Sequence, residues 1–210
     1  MAELQLRNAR PLVRAFYERD PRRVAREILG KVLLRREGRK LRAGRIVEVE
    51  AYLGVNDPAA HAAAGRTPRN RVLFGPPGHA YVYFIYGNHY CLNVSCMPEG
   101  KAGCVLIRAL EPLAGMEQMR GARGLKGKRR EADPRLLTSG PGRLSEAFDI
   151  TRSRDNGKDL TAAESDLVIV DGGGAGGRVR VTTRIGISKA AHEKLRYVLA
   201  GNAFVSGKKI

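Results

Sequence analysis

The sequence predicts one α+β domain: a mainly antiparallel, curved sheet with a protruding β-hairpin and helices around it. Three observations lead there. Strand-prone runs follow one another with only short turns between them, a spacing that antiparallel pairing permits. Short helices with marked ends punctuate those runs. The chain has 210 residues, enough for one hydrophobic core, and shows neither an internal repeat nor a linker. Residues 1–210 are therefore read as a single domain, with residues 1–19 expected to be loosely ordered.

Each element has a local reason. Asp20-Pro21 ahead of residues 22–29, with Gly30 behind them, marks a helix: Asp20 caps it, Pro21 suits its first turn and Gly30 its stop. Val32-Leu33-Leu34 and residues 44–53 read as strands around a Gly/Lys/Arg turn. Residues 68–78 read as a loop closed by Pro76-Pro77-Gly78. Residues 80–85 and 90–96 are β-prone runs around Tyr86-Gly87-Asn88-His89, a hairpin, and residues 103–110 form a third strand. A helix is expected from Pro112 to near Gly121, then an exposed basic loop to Arg130, then a short helix from Gly140-Pro141 through Phe148. Residues 167–170 and 178–181 flank a glycine-rich stretch, 172–177, that reads as a hairpin loop. That stretch lacks the Lys-Ser/Thr that follows the glycines of a phosphate-cradling loop, which excludes a nucleotidase.

Charge narrows the function. Lys and Arg total 38 against 21 Asp and Glu, a formal net charge of +17. An excess this large attracts polyanions, of which nucleic acid is the commonest. No apolar run approaches the roughly 20 residues needed to span a bilayer, and the N-terminus lacks the apolar core of a secretion signal. The three cysteines, Cys91, Cys96 and Cys104, are too few for a disulfide scaffold and point to a reducing cytoplasm. Cys91 and Cys96 are five apart and face opposite sides of a regular strand, so core thiols are expected rather than a zinc site.

Chemistry concentrates in the strand Gly44-Arg45-Ile46-Val47-Glu48-Val49-Glu50-Ala51-Tyr52-Leu53. Alternation puts Val47, Val49, Ala51 and Leu53 on a core face and Glu48, Glu50 and Tyr52 on the other. His61 follows shortly after. A carboxylate, a phenol and an imidazole so close together suit a pocket with an aromatic wall and a general base; an ordinary half-exposed strand whose acids meet lysines is the plainer reading. Tyr81, Tyr83, Tyr86 and Tyr90 are four of the seven tyrosines. Tyr86 sits beside the Gly87 turn, where an aromatic in so basic a protein suits a wedge inserted between base pairs. Arg108 interrupts an apolar run and needs either an anionic partner or a strand edge facing water.

Together with Arg66-Thr67-Pro68-Arg69-Asn70, Leu106-Ile107-Arg108-Ala109-Leu110-Glu111-Pro112 and Ser139-Gly140-Pro141, these segments occur in an order that closely resembles the alkyladenine (3-methyladenine) DNA glycosylases, in their compact bacterial form. The resemblance runs from about Asp20 to at least Ile150, and more weakly to Val205. It implies that Glu50 activates the hydrolytic water, with Arg108 and the backbone carbonyl of Ile185 positioning it. It makes Tyr52 and Tyr83 the walls around a flipped base, His61 its lateral contact, Asn93 the residue that disfavours normal guanine, and Tyr86 the intercalating wedge. Arg69 resembles a phosphate contact, and Arg143 is a further candidate for one. Asn88 departs from the methionine usual in bacterial relatives. The resemblance implies a monomeric, cofactor-free and metal-independent monofunctional glycosylase. Its partner would be double-stranded DNA with damaged purines, in a bacterial cytoplasm at the nucleoid, with no membrane. A nonenzymatic nucleic-acid-binding module on the same fold remains the alternative.

Overall fold

The computed structural model describes residues 3–85, 87, 89–125, 133–173 and 177–207. In chain order its elements are α1 (Glu3–Asn8), α2 (Arg14–Tyr17), α3 (Pro21–Ile28), β1 (Val32–Glu37), β2 (Lys40–Tyr52), β3 (Ala80–Ile85), β4 (His89–Ser95) and β5 (Cys104–Ala114). Then come α4 (Met116–Ala122), α5 (Arg135–Thr138), α6 (Pro141–Ala147), α7 (Arg152–Asp155), β6 (Leu167–Val170), β7 (Val179–Thr182) and β8 (Arg196–Leu199). The eight strands form one open, antiparallel, curved sheet in an α+β domain, ordered β3-β4-β5-β2-β1-β6, with β8 joining β2 to β7.

The long strand β2 is the spine. Its first half pairs with β1 (Val32 opposite Arg45, Glu37 opposite Lys40) and its second half with β8 (Glu48 opposite Val198, Glu50 opposite Arg196), while β5 runs along its other edge. Two compensating bulges interrupt the β2–β5 ladder, where Ile46 faces Leu110, Glu48 faces Ala109 and Val49 faces Ile107. Val47 is the extra residue on one strand and Arg108 on the other. A bulge re-aims side chains: Ile46 and Val47, neighbours in sequence, both enter the main core.

That core joins Val47, Val49 and Ala51 of β2 to Val82, Leu92, Val94 and Ile107, beneath Val24 and Ile28 of α3 and Leu144 of α6. As expected, α3 begins at Pro21, and the Asp20 carboxylate accepts the Arg22 N–H at 2.8 Å. Three expectations need correction. The glycine-rich stretch does not join a hairpin, because β6 pairs with β1 at the sheet edge and β7 with β8. Strand β5 runs past Pro112 to Ala114, with Pro112 beside a register shift, the kind of irregularity at which proline is found in strands; the helix waits for Gly115. Residues 71–74 of the supposed loop form a 3₁₀ turn. Residues 3–17 carry α1 and α2, with Leu6 and Tyr17 buried. The expectations for Tyr86, Asn88 and the basic run 126–130 lie outside the described residues.

Candidate active site

On the face of β2 opposite the core, the strand alternation places Glu48, Glu50 and Tyr52 side by side. The half-exposed strand with lysine partners is wrong for the two glutamates: both are fully buried, and their partners are arginines. The cover comes from the C-terminal segments that β7 and β8 bring over this face.

Glu48 is saturated. It accepts hydrogen bonds from Arg108 Nε at 3.0 Å, Arg196 Nε at 2.7 Å, the Ser206 N–H at 2.6 Å and the Ser206 hydroxyl at 2.9 Å. Glu50 has a different environment. Its Oε1 accepts the Ile185 N–H at 2.8 Å, and its Oε2 accepts the Tyr52 hydroxyl at 3.0 Å and faces Arg108 Nη1 at 3.2 Å. Burial pushes the Glu50 carboxyl above the usual carboxylate range. Arg108, the Ile185 N–H and the Tyr52 hydroxyl pull it down without restoring it, and Glu48 adds to the rise. A carboxylate so placed is a stronger proton acceptor than an exposed one. Arg108 thus has two anionic partners and is largely buried; burial disfavours its charge, but Glu50 and Glu48 hold its pKa above the ordinary arginine value.

Above this cluster opens a cavity of about 500 Å³, within the size range of small-molecule pockets. Tyr52 and Arg108 line it from the β2–β5 side, Tyr83 and Asn93 from β3 and β4, His61 from the loop after β2, and Ile185 from the segment after β7. Tyr81 and Tyr83 share a face of β3, as period-two alternation requires. Their rings lie 5.6 Å apart; the His61 ring meets Tyr83 at 4.4 Å, and its Nδ1 lies 2.8 Å from the Tyr81 hydroxyl. Burial, aided by Arg69, pushes the His61 pKa down, and burial pushes the Tyr81 phenol up to about 12. The phenol and the imidazole share this one hydrogen bond. Asn93 gives its Nδ2 to the Tyr81 carbonyl at 3.2 Å, which fixes the amide against the cavity wall. Arg69 is exposed, with its guanidinium carbon 5.9 Å from the Tyr83 ring centroid. Arg143 is exposed at the cavity mouth. At Ile185 it is the backbone N–H that meets Glu50.

Three supports escaped the sequence reading. Arg184 lies 4.7 Å behind the Tyr52 ring, pairs through both terminal nitrogens with Asp57, and donates to the Ala51 carbonyl at 3.1 Å. It pins the segment that delivers Ile185 to Glu50. Asn70 donates to the backbone carbonyls of His61 and Gly65, both at 2.9 Å, and so fixes the loop carrying His61. Arg184 and Asp57 are 127 residues apart in sequence, with no spacing to link them; Asn70 ended a quoted segment without being assigned a role. Cys91, Cys96 and Cys104 are buried free thiols.

The sequence model of the methylpurine-DNA glycosylase family matches residues 15–203. A protein of Koribacter versatilis, provisionally named a 3-methyladenine DNA glycosylase, is 62% identical over 209 residues, covering 100% of this chain and 99% of its own. Similarly named proteins of Burkholderia lata and Methanoculleus marisnigri are 48% and 47% identical, covering 93% and 91% of this chain and 91% and 96% of their own.

Proposed function

Because the chain belongs to the methylpurine-DNA glycosylase family, and so to the enzymes that hydrolyse N-glycosyl bonds in DNA, we propose that it excises alkylated and deaminated purines from duplex DNA through a water activated by Glu50. The observation that carries this reading is Glu50 itself: a buried carboxylate with a raised pKa, adjoining an aromatic cavity and paired with Arg108.

The purine flips out of the helix and enters between Tyr52 and Tyr83, with His61 at its edge. Glu50 takes a proton from water, the water oxygen bonds to the anomeric carbon, and the carbon–nitrogen bond breaks with its electron pair going to the base. A cationic base such as 3-methyladenine leaves as a neutral molecule, whereas hypoxanthine or ethenoadenine leaves more readily once protonated on the ring. Glycoside hydrolases generally use two carboxylates. Glu48 does not suit the second role, since its oxygens are already taken by Arg108, Arg196 and Ser206, so the charge of the leaving base takes that place. No lysine occurs among the described residues lining the cavity, which favours hydrolysis without strand cleavage. The chemistry written this way assigns no step to a metal. Tyr86 fills the gap left in the duplex, Asn93 disfavours the exocyclic amine of guanine, and Arg69 and Arg143 contact phosphates. The enzyme acts as a monomer, and no helix among the described residues is long and apolar enough to cross a membrane.

The test is incubation of the protein, in excess EDTA, with duplexes carrying hypoxanthine or ethenoadenine and with methylated DNA. Free base and an intact, alkali-labile strand are expected. Tight binding of these duplexes without release of any base would replace the enzyme with a nonenzymatic DNA-binding module.

A further inference from the structure

His89 has no part in the mechanism above, yet it lines the mouth of the same cavity. Its setting is built. Nδ1 lies 2.8 Å from Glu146 Oε1 on α6, the other Glu146 oxygen pairs with Arg123 at the end of α4, and Gly142 lies flat against the ring. A methyl group at Gly142 would come within 2.8 Å of His89 Cγ. The Nδ1 edge of the imidazole is thus covered by α6, while His89 lines the cavity with about a third of its side chain exposed.

We propose that His89, oriented by Glu146 and Arg123, is a proton-linked ligand for the phosphodiester of the flipped nucleotide. The proposal rests on the glycosylase reading and adds a subsite to it. His89, Cys91 and Asn93 share one face of β4; Asn93 lies across β5 from Glu50, both being paired with Leu106. His89 is four residues further along, about 14 Å from Asn93 at ~3.4 Å per residue. A purine at the inner end leaves its sugar and phosphates at the level of His89 and Arg143. A carboxylate only accepts, so Nδ1 must carry its proton toward Glu146. A neutral His89 then presents a lone pair at Nε2, which repels phosphate; only the protonated ring donates there. Binding of the backbone therefore takes up one proton.

The groups facing the ring are few. From α6 comes Glu146, whose second oxygen pairs with Arg123, and Arg143 lines the same cavity. From β3 the cross-strand neighbour is the apolar Ile85. Along β4 the next residue on the face is Cys91, whose thiol burial pushes up to about 11 and keeps neutral.

The experiment measures affinity for a duplex bearing a stable abasic-site analogue, from about pH 6 to about pH 8.5, for the wild type, His89→Gln and Glu146→Gln. Wild-type affinity should fall by close to tenfold per pH unit over the interval in which one imidazole deprotonates. His89→Gln should bind more weakly at the low-pH end and lose that one-proton slope. Glu146→Gln keeps an acceptor for Nδ1–H, so its slope should survive where that of His89→Gln is lost. A His89→Gln slope equal to the wild type's would overturn the proposal, as would a flat wild-type profile. Failure of the wild type to prefer the abasic analogue over undamaged duplex would count instead against the glycosylase reading.

Discussion

Two of the buried charge clusters among the described residues are built to opposite ends. At one, Arg35 on β1 is fully buried and forks onto both oxygens of Asp155 at 2.9 and 2.8 Å; it also donates to Asp166 at 2.9 Å and to the Phe148 carbonyl at 3.1 Å. Arg154 and Lys158 complete the network. Burial pushes the Asp166 carboxyl up, but Lys158 and Arg35 outweigh it and hold it at about 2. At the other cluster Glu50 has one arginine, shared with Glu48, and burial wins. The first uses paired charge to tie α7 and the chain ahead of β6 to β1. The second leaves a carboxylate under-compensated beside a cavity. Where partners outweigh burial the charge is structural; where burial outweighs the partners, as at Glu50, the carboxylate is available for chemistry.

The largest effect that would break this comparison is at the structural end. Asp155→Ala leaves Arg35 buried with half its partners, and should cost about 3–5 kcal/mol of stability. Urea unfolding measures it, and a loss within experimental error would show that the network carries no such weight. Tyr52→Phe is the next in size. It keeps the aromatic wall but removes the hydroxyl that stabilises the Glu50 anion, so the Glu50 pKa should rise further. Glu50 must be deprotonated to act, so the acid limb of the rate profile should move to higher pH, with a several-fold loss on the acid limb and little change on the plateau above it. An unmoved limb would separate that hydroxyl from the base.

How much of this was legible in the sequence follows the same division. The alternation in β2 placed Glu48, Glu50 and Tyr52 on one face, and the capped α3, the hairpin of β3 and β4 and the onset of α6 each had local signals. The burial of Glu48 and Glu50 had none. It depends on Ser206, Arg196 and Ile185, which arrive more than 130 residues later in the chain. Strand β8 is four residues long and is recognisable only by the partners it finds. The bulges at Val47 and Arg108 exist as a mismatch between two strands, which neither strand displays alone. Local chemistry is written in neighbours; its electrostatic setting is written in long-range contacts.

Two smaller effects sharpen the contrast. The Asp166 pKa is depressed in the folded state, so its contribution to stability is present above the ordinary carboxylate range and is lost as pH falls through about 2. The stability difference between wild type and Asp166→Asn should accordingly shrink on acidification toward that value; a difference independent of pH would mean that Asp166 acts through shape alone. The smallest effect belongs to the site. Glu50→Gln removes a buried charge that repels Glu48, so its unfolding midpoint should equal or exceed the wild type's. A pronounced loss would make Glu50 a structural residue like Asp155.

The account rests on Glu50 as the base, and the most direct measurement is single-turnover release of hypoxanthine or ethenoadenine from duplex DNA with protein in saturating excess. The wild type and Glu50→Gln would be compared, each with its affinity for the same duplex. The predicted result is a rate lowered by about 10²–10⁴-fold with affinity within a few-fold of the wild type's. A Glu50→Gln protein that releases base at the wild-type rate would contradict the account and place the proton acceptor elsewhere.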